Sequence, residues 1–155
     1  MKHITAIVLF TLSAQGALAC PHDLRGTWQS DREASMTFAR ENARLQPKTE
    51  AFLAALYGHM TLTFTRSEAH LVMPDIEVPV SGEGRPFVGF DQRTKYKVLF
   101  CNSTMLVWSG KMSFDSEPKA STLVFLDPNT FWVYAGGADP KVPDLHTREF
   151  FRRLK

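Results

Sequence analysis

Leu24-Arg25-Gly26-Thr27-Trp28 is the stretch that decides the fold of this 155-residue chain. Gly26 permits a close backbone approach that a Cβ would block, and Trp28 supplies a large apolar anchor two residues later. A first strand centred on Thr27, Trp28 and Gln29 is therefore expected, entered through a turn that begins at Asp23. Past Asp31 the period changes. Glu33, Ala34, Met36, Ala39, Glu41, Ala43, Arg44 and Leu45 form a run of mostly good helix formers, and Pro47 breaks it. Phe52, Leu53, Leu56 and Tyr57 then recur at one-turn spacing, and Gly58 stands where a helix C-terminal cap belongs. One or two helices, joined near Gln46 and Pro47, are predicted between the first strand and the remainder.

Beyond Gly58 the period falls to two. Met60, Leu62 and Phe64 alternate with Thr61, Thr63 and Thr65, and after a turn at Arg66-Ser67-Glu68 the pattern returns through Ala69, Leu71 and Met73. Ile76, Val78 and Val80 make another strand, in which Pro79 suits an edge. Residues 81–84 read as a loop. Strands are expected at 96–101 and 105–108, separated by a turn at Asn102-Ser103, which with Thr104 also fits a glycosylation acceptor. A hairpin joins 123–126 to 131–134 through Asp127-Pro128-Asn129. Residues 135–144, rich in Gly and Pro, read as a long exposed loop, and Glu149-Phe150-Phe151-Arg152 as the last strand. Roughly seven to nine sequential strands predict a mainly β fold, an antiparallel up-and-down β-barrel with one helical segment after the first strand. Closure also removes the strand edges that invite aggregation.

The N-terminus has the layout of an export signal. Lys2 provides the positive end, and Ile4, Ala6, Ile7, Val8, Leu9, Phe10 and Leu12 form an apolar stretch well short of the roughly 20 residues needed to span a bilayer. Ala17-Leu18-Ala19 is an A-x-A cleavage site, so residues 1–19 are expected to be a signal peptide and Cys20 the first mature residue. The destination is periplasmic or secreted. Only two cysteines are present, Cys20 and Cys101. An exported chain with two cysteines most often joins them. The alternative is a lipid anchor on Cys20, although Ala17 stands where lipoprotein signals usually carry Leu. Removing Lys2 lowers the formal charge from +2 to +1. Such a balance leaves no electrostatic footprint for nucleic acid.

Residues 24–28 resemble the opening Gly-x-Trp motif of lipocalin and fatty-acid-binding (calycin) barrels. The helical insert after the first strand is closer to the fatty-acid-binding layout. Residues 125–133 and Arg148-Glu149-Phe150-Phe151-Arg152 are similar to the late hairpin and last strand of bacterial lipocalin-like proteins. The resemblance implies a lipocalin-like β-barrel domain over residues 20–155, with Trp28 at the barrel floor under an Arg from the last strand: Arg148, Arg152 or Arg153. Arg148-Glu149-Phe150 also resembles the Arg-x-Tyr pair that holds a fatty-acid carboxylate, with Phe150 in place of the Tyr and hence one hydroxyl donor fewer. The second, aspartate-bearing lipocalin motif is not evident.

No Gly-x-Ser-x-Gly elbow, phosphate loop or paired-Cys metal motif occurs, so no catalytic residue, cofactor or metal site is expected and the chain is read as a non-enzyme. His59, His70 and Asp75 are the one set that could meet on a hairpin, without the local spacing of a metal site. Large apolar residues on the strands, among them Met60, Met73, Phe87, Phe90, Met105, Met112 and Phe114, suit either a filled core or a cavity. The expected function is an exported monomeric carrier of a small hydrophobic or amphipathic ligand. Its wall would be Leu62, Phe64, Leu71, Val98, Phe100, Val107 and Trp132, with Arg148 or Arg152 meeting an acidic head group. The alternative is an exported inhibitor of a hydrolase that uses barrel-end loops at 81–85 and 135–142. A barrel of eight strands is wide enough to fill itself or to hold one small ligand, and a cavity of roughly 300 Å³ or more favours the carrier.

Overall fold

The computed structural model describes residues 20–80, 82–113, 115–135 and 145–154. The expected signal peptide, Ser81, Phe114 and residues 136–144 of the expected long loop lie outside the described residues. The chain runs β1 (Gly26–Asp31), α1 (Arg32–Asn42), α2 (Pro47–Leu56), β2 (Thr61–Phe64), β3 (Glu68–Met73), β4 (Ile76–Val80), β5 (Glu83–Phe87), β6 (Phe90–Cys101), β7 (Met105–Gly110), β8 (Lys119–Asp127), β9 (Thr130–Tyr134) and β10 (Arg148–Arg153). Eight strands close an antiparallel barrel in the order β1, β10, β9, β8, β7, β6, β3, β2. Neighbours in sequence are neighbours in space, and β10 returns to β1. The expected up-and-down, calycin-like barrel is what forms. The helical segment after the first strand is two helices, and β4 and β5 make a separate two-stranded sheet inserted between β3 and β6.

Local chemistry explains the joints. Asp31 ends β1 and caps α1, accepting a hydrogen bond from the Ala34 amide at 2.9 Å, and it also pairs with Arg152. Pro47 opens α2, where its missing N–H is no loss. Asn102 closes the β6–β7 turn through its side-chain oxygen, which accepts from the Thr104 and Met105 amides at 2.9 Å each. The glycosylation-like triplet is thus a side-chain-closed turn.

Three stretches depart from the expectation. β6 begins at Phe90 and not at Tyr96, β8 begins at Lys119 and not at Leu123, and Glu83 and Gly84 open a strand paired with β4 instead of ending a loop. The β6 and β8 extensions carry polar side chains on both faces, such as Gln92 and Thr94 opposite Arg93 and Lys95, and Glu83-Gly84 has no apolar residue, so apolar alternation does not reveal them.

Register shows what the barrel encloses. Trp28 pairs with Leu62 and with Arg153, Leu62 with Leu71, Phe131 with Phe151, and Leu106 with Leu123, which puts all of these on the inner face. One half of the interior is solid aromatic packing. Trp28 lies against Phe131 at a ring separation of 4.7 Å, Phe131 against Phe151 at 5.3 Å, and Phe64 meets Trp108 edge-on at 5.7 Å. A second small cluster, Met36, Leu53 and Tyr57, joins the two helices.

Candidate functional site

The packed end of the barrel is sealed by the lead-in to β1. Cys20 is disulfide-bonded to Cys101 of β6 with a Cα separation of 5.4 Å, and the His22 ring stacks on Phe125 at 3.8 Å. The indole N–H of Trp28 donates to the Leu24 carbonyl at 2.8 Å. Of the three arginines that could cover Trp28, Arg153 does so. Its guanidinium lies 4.1 Å from the Trp28 ring and donates to the carbonyls of Asp23 and Arg25. Gly26 makes room for it: φ is +119° there, and a Cβ would lie 3.0 Å from the Arg153 side chain.

The other half of the barrel is hollow. A cavity of about 360 Å³ is walled on the inside by Met60, Leu62, Leu71, Trp108, Leu123 and Val133 and reaches Ala120, Ser121, Thr122 and Tyr134. Its flank is open because β8 and β9 pair only from Val124 onward, leaving residues 119–123 bonded to β7 alone. A smaller hollow of about 100 Å³ shares Met60 with it and is closed over by Leu56 of α2 and Phe87 of β5, with Met73, Phe90 and Glu149 beneath. A larger, open depression of about 470 Å³ crosses the outer surface at Asp31, Arg32, Arg152 and Leu154.

Trp108 and Glu149 bring polar atoms to the walls of these hollows. Trp108 is buried, and its indole N–H has no hydrogen-bond partner among the described residues. Glu149 shares the inner face with Val133, its partner across β9. The Ser30 hydroxyl donates to Glu149 Oε1 at 2.6 Å and itself accepts from the Gly58 amide at 2.8 Å. Loss of water around the Glu149 carboxyl pushes its pKa up to about 7, against the pull of the Ser30 hydrogen bond.

The expected ligand wall is brought together only in part. Leu62 and Leu71 line the cavity, Phe64 is buried just beside it, and Val98 sits at the sealed end near Cys20 and His22. Phe100, Val107 and Trp132 are corrections. A bulge between Val98 and Phe100 reverses the alternation of β6, so that Phe100 and Val107 pair on the outside and Phe100 is 50% exposed. Trp132 also faces outward, next to Phe150 and Val124. Arg148 and Arg152 are corrections too. Arg148 is stacked outside the barrel between Phe38 of α1, at 4.3 Å, and Trp132, at 3.9 Å. Arg152 is held by Asp31. Neither reaches the cavity.

Glu149 and Trp108 are the site residues that no sequence motif announces. The signal that finds them is strand parity: in β10 the inner face carries Glu149, Phe151 and Arg153. His59, His70 and Asp75 are not gathered. His59 meets Arg32 at 2.8 Å, His70 meets Asp91 at 2.6 Å, and Asp75 accepts from the Gly89 amide at 2.8 Å. No group of three metal-ligating side chains forms among the described residues. Nor is any described helix long and apolar enough to cross a membrane. Comparison with family models, with curated proteins and with solved structures found no match for this chain.

Proposed function

We propose that this chain is an exported, non-enzymatic, monomeric carrier of a small hydrophobic or amphipathic molecule, built on a lipocalin-like plan. The observation that carries the reading is the cavity of about 360 Å³ in the open half of the barrel. Its wall is mainly apolar, with Ser121 and Thr122 at the open flank, so a ligand would be driven in by water exclusion at roughly 25 cal/mol per Å² of apolar surface, less the ordering terms of binding. Trp108 borders the cavity and its buried indole N–H has no partner among the described residues, so a guest whose acceptor displaces the side chains over it would be favoured over a pure hydrocarbon. Export rests on the leader pattern of residues 1–19 and agrees with the disulfide; a sulfur already bonded to Cys101 is closed to acylation.

The test is native mass spectrometry of protein purified without detergent, together with titration of an apolar probe against the fluorescence of Trp108. A co-purifying lipid-like mass, or saturable quenching lost in Trp108→Phe, is the expected outcome. Failure of every apolar probe to bind removes the carrier reading. It would favour a protein-binding inhibitor instead, for which the β4–β5 hairpin, standing apart from the barrel with Val80 and Val88 exposed, is the available surface.

A further inference from the structure

Resting on the carrier reading, the charge inside the barrel selects the head group of the guest. Carriers of acidic lipids need a cation facing the cavity. Here the arginines nearest in sequence to the cavity are both engaged on the outer face, Arg148 between two aromatic rings and Arg152 on Asp31. Arg32, on the neighbouring helix, donates to the Tyr57 carbonyl at 2.9 Å and meets His59. Among the described residues, the one ionisable group that lines the hollow is an acid, Glu149. Among the described residues its carboxyl accepts a single hydrogen bond, from Ser30, whereas a carboxylate has acceptor sites for about four. No cation among the described residues pairs with it.

We propose that the cavity takes a molecule with an apolar body and a protonated amine, the body lying along Leu62, Leu71 and Leu123 and the ammonium donating to Glu149. The hollow beneath Leu56 and Phe87 lies next to the main cavity, with Met60 bordering both, so a linear guest that spans the two would run past this flexible side chain. An ammonium at that position restores the partner that the carboxylate lacks, and a charge-assisted hydrogen bond there is shielded from solvent. A fatty acid would instead set two carboxyl groups against each other, so that one must stay protonated.

Decylamine, decanol and decanoate share one chain length and differ only in head group. They would be titrated calorimetrically against oxidised mature protein and against Glu149→Gln. The amine should bind wild type at least about tenfold more tightly than the carboxylate, and Glu149→Gln should abolish that preference while decanol binding persists. Tighter binding of decanoate, or a preference for the amine that survives in Glu149→Gln, overturns the proposal and leaves the carrier reading standing. If none of the three binds, the carrier reading falls and this proposal with it. A wild-type measurement covers the case in which Glu149→Gln does not fold. At about pH 6, amine binding should release protons as Glu149 ionises, seen as a dependence of binding heat on the buffer's ionisation enthalpy.

Discussion

At the scale of single residues, the sealed end depends on three side chains acting through one another. Trp28 is completely buried, Arg153 lies across its face, and Gly26 leaves the space in which the guanidinium sits. Trp28→Ala should lower stability by about 3–5 kcal/mol, the range for deleting a core aromatic, as measured by urea unfolding. A loss below about 1 kcal/mol would show that the anchor is not structural. Gly26→Ala places a Cβ at positive φ and against Arg153, and should cost about 1–3 kcal/mol. Glu149 adds a pH dependence of definite sign. Its pKa is about 7 in the folded chain against an ordinary 4.5, so folding favours the protonated form. That contribution is complete below the ordinary value and disappears as pH rises through about 7, a change of about 3 kcal/mol at most. Thermal melts of wild type should therefore fall relative to Glu149→Gln between about pH 5 and about pH 8. Parallel curves for the two proteins would show that the carboxyl is open to water.

Secondary elements contribute through their joints. The Cys20–Cys101 bond ties the lead-in to the far end of β6 across 81 residues. Closing so long a loop is worth about 4.5 kcal/mol from chain entropy, and reduction should lower the unfolding free energy by that order. Non-reducing mass analysis should find the mature chain lighter than its reduced form by two protons' mass; two free thiols would contradict the bond. The bulge in β6 is the element-scale event with most effect on the site. One extra residue, Leu99, sends Phe100 outward and returns Cys101 to the inner face opposite Leu106. Without that shift the cysteine would point away from the lead-in.

Across the whole molecule, the barrel is packed at one end and hollow at the other. Aromatic rings from several strands pack the sealed half solidly, while aliphatic side chains, Trp108, Phe87, Phe90 and Glu149 border the hollows of the open half. On the proposed carrier reading, stability and binding would lie in different parts of one interior. A guest held at about 100 times its dissociation constant should add about 2.7 kcal/mol to the unfolding free energy, read as a concentration-dependent rise in melting temperature. Trp108→Ala widens the cavity and removes its free N–H. It should therefore weaken binding of decanol, whose oxygen can accept from that N–H, more than binding of a hydrocarbon of the same length, measured by displacement of a fluorescent apolar probe.

Residues 24–28, the helical period after Arg32 and the two-residue period after Gly58 were enough to establish a closed antiparallel barrel with a helical insert, because periodicity and turn chemistry are local properties of the chain. Two cysteines behind a leader-like N-terminal pattern were likewise enough to expect their bond. Which side chains line the cavity was a tertiary decision. Met105-Leu106-Val107-Trp108 and Phe131-Trp132-Val133 are apolar on both faces, so their alternation carries no sign, and one bulge inverts the parity of everything beyond it. The same ambiguity in Arg148-Glu149-Phe150-Phe151-Arg152-Arg153 concealed that Arg153 covers Trp28, that Arg148 and Arg152 face outward, and that the charge turned toward the cavity is an acid. Only the pairing of β10 with both β9 and β1 settles that choice, since barrel closure fixes which face is inside.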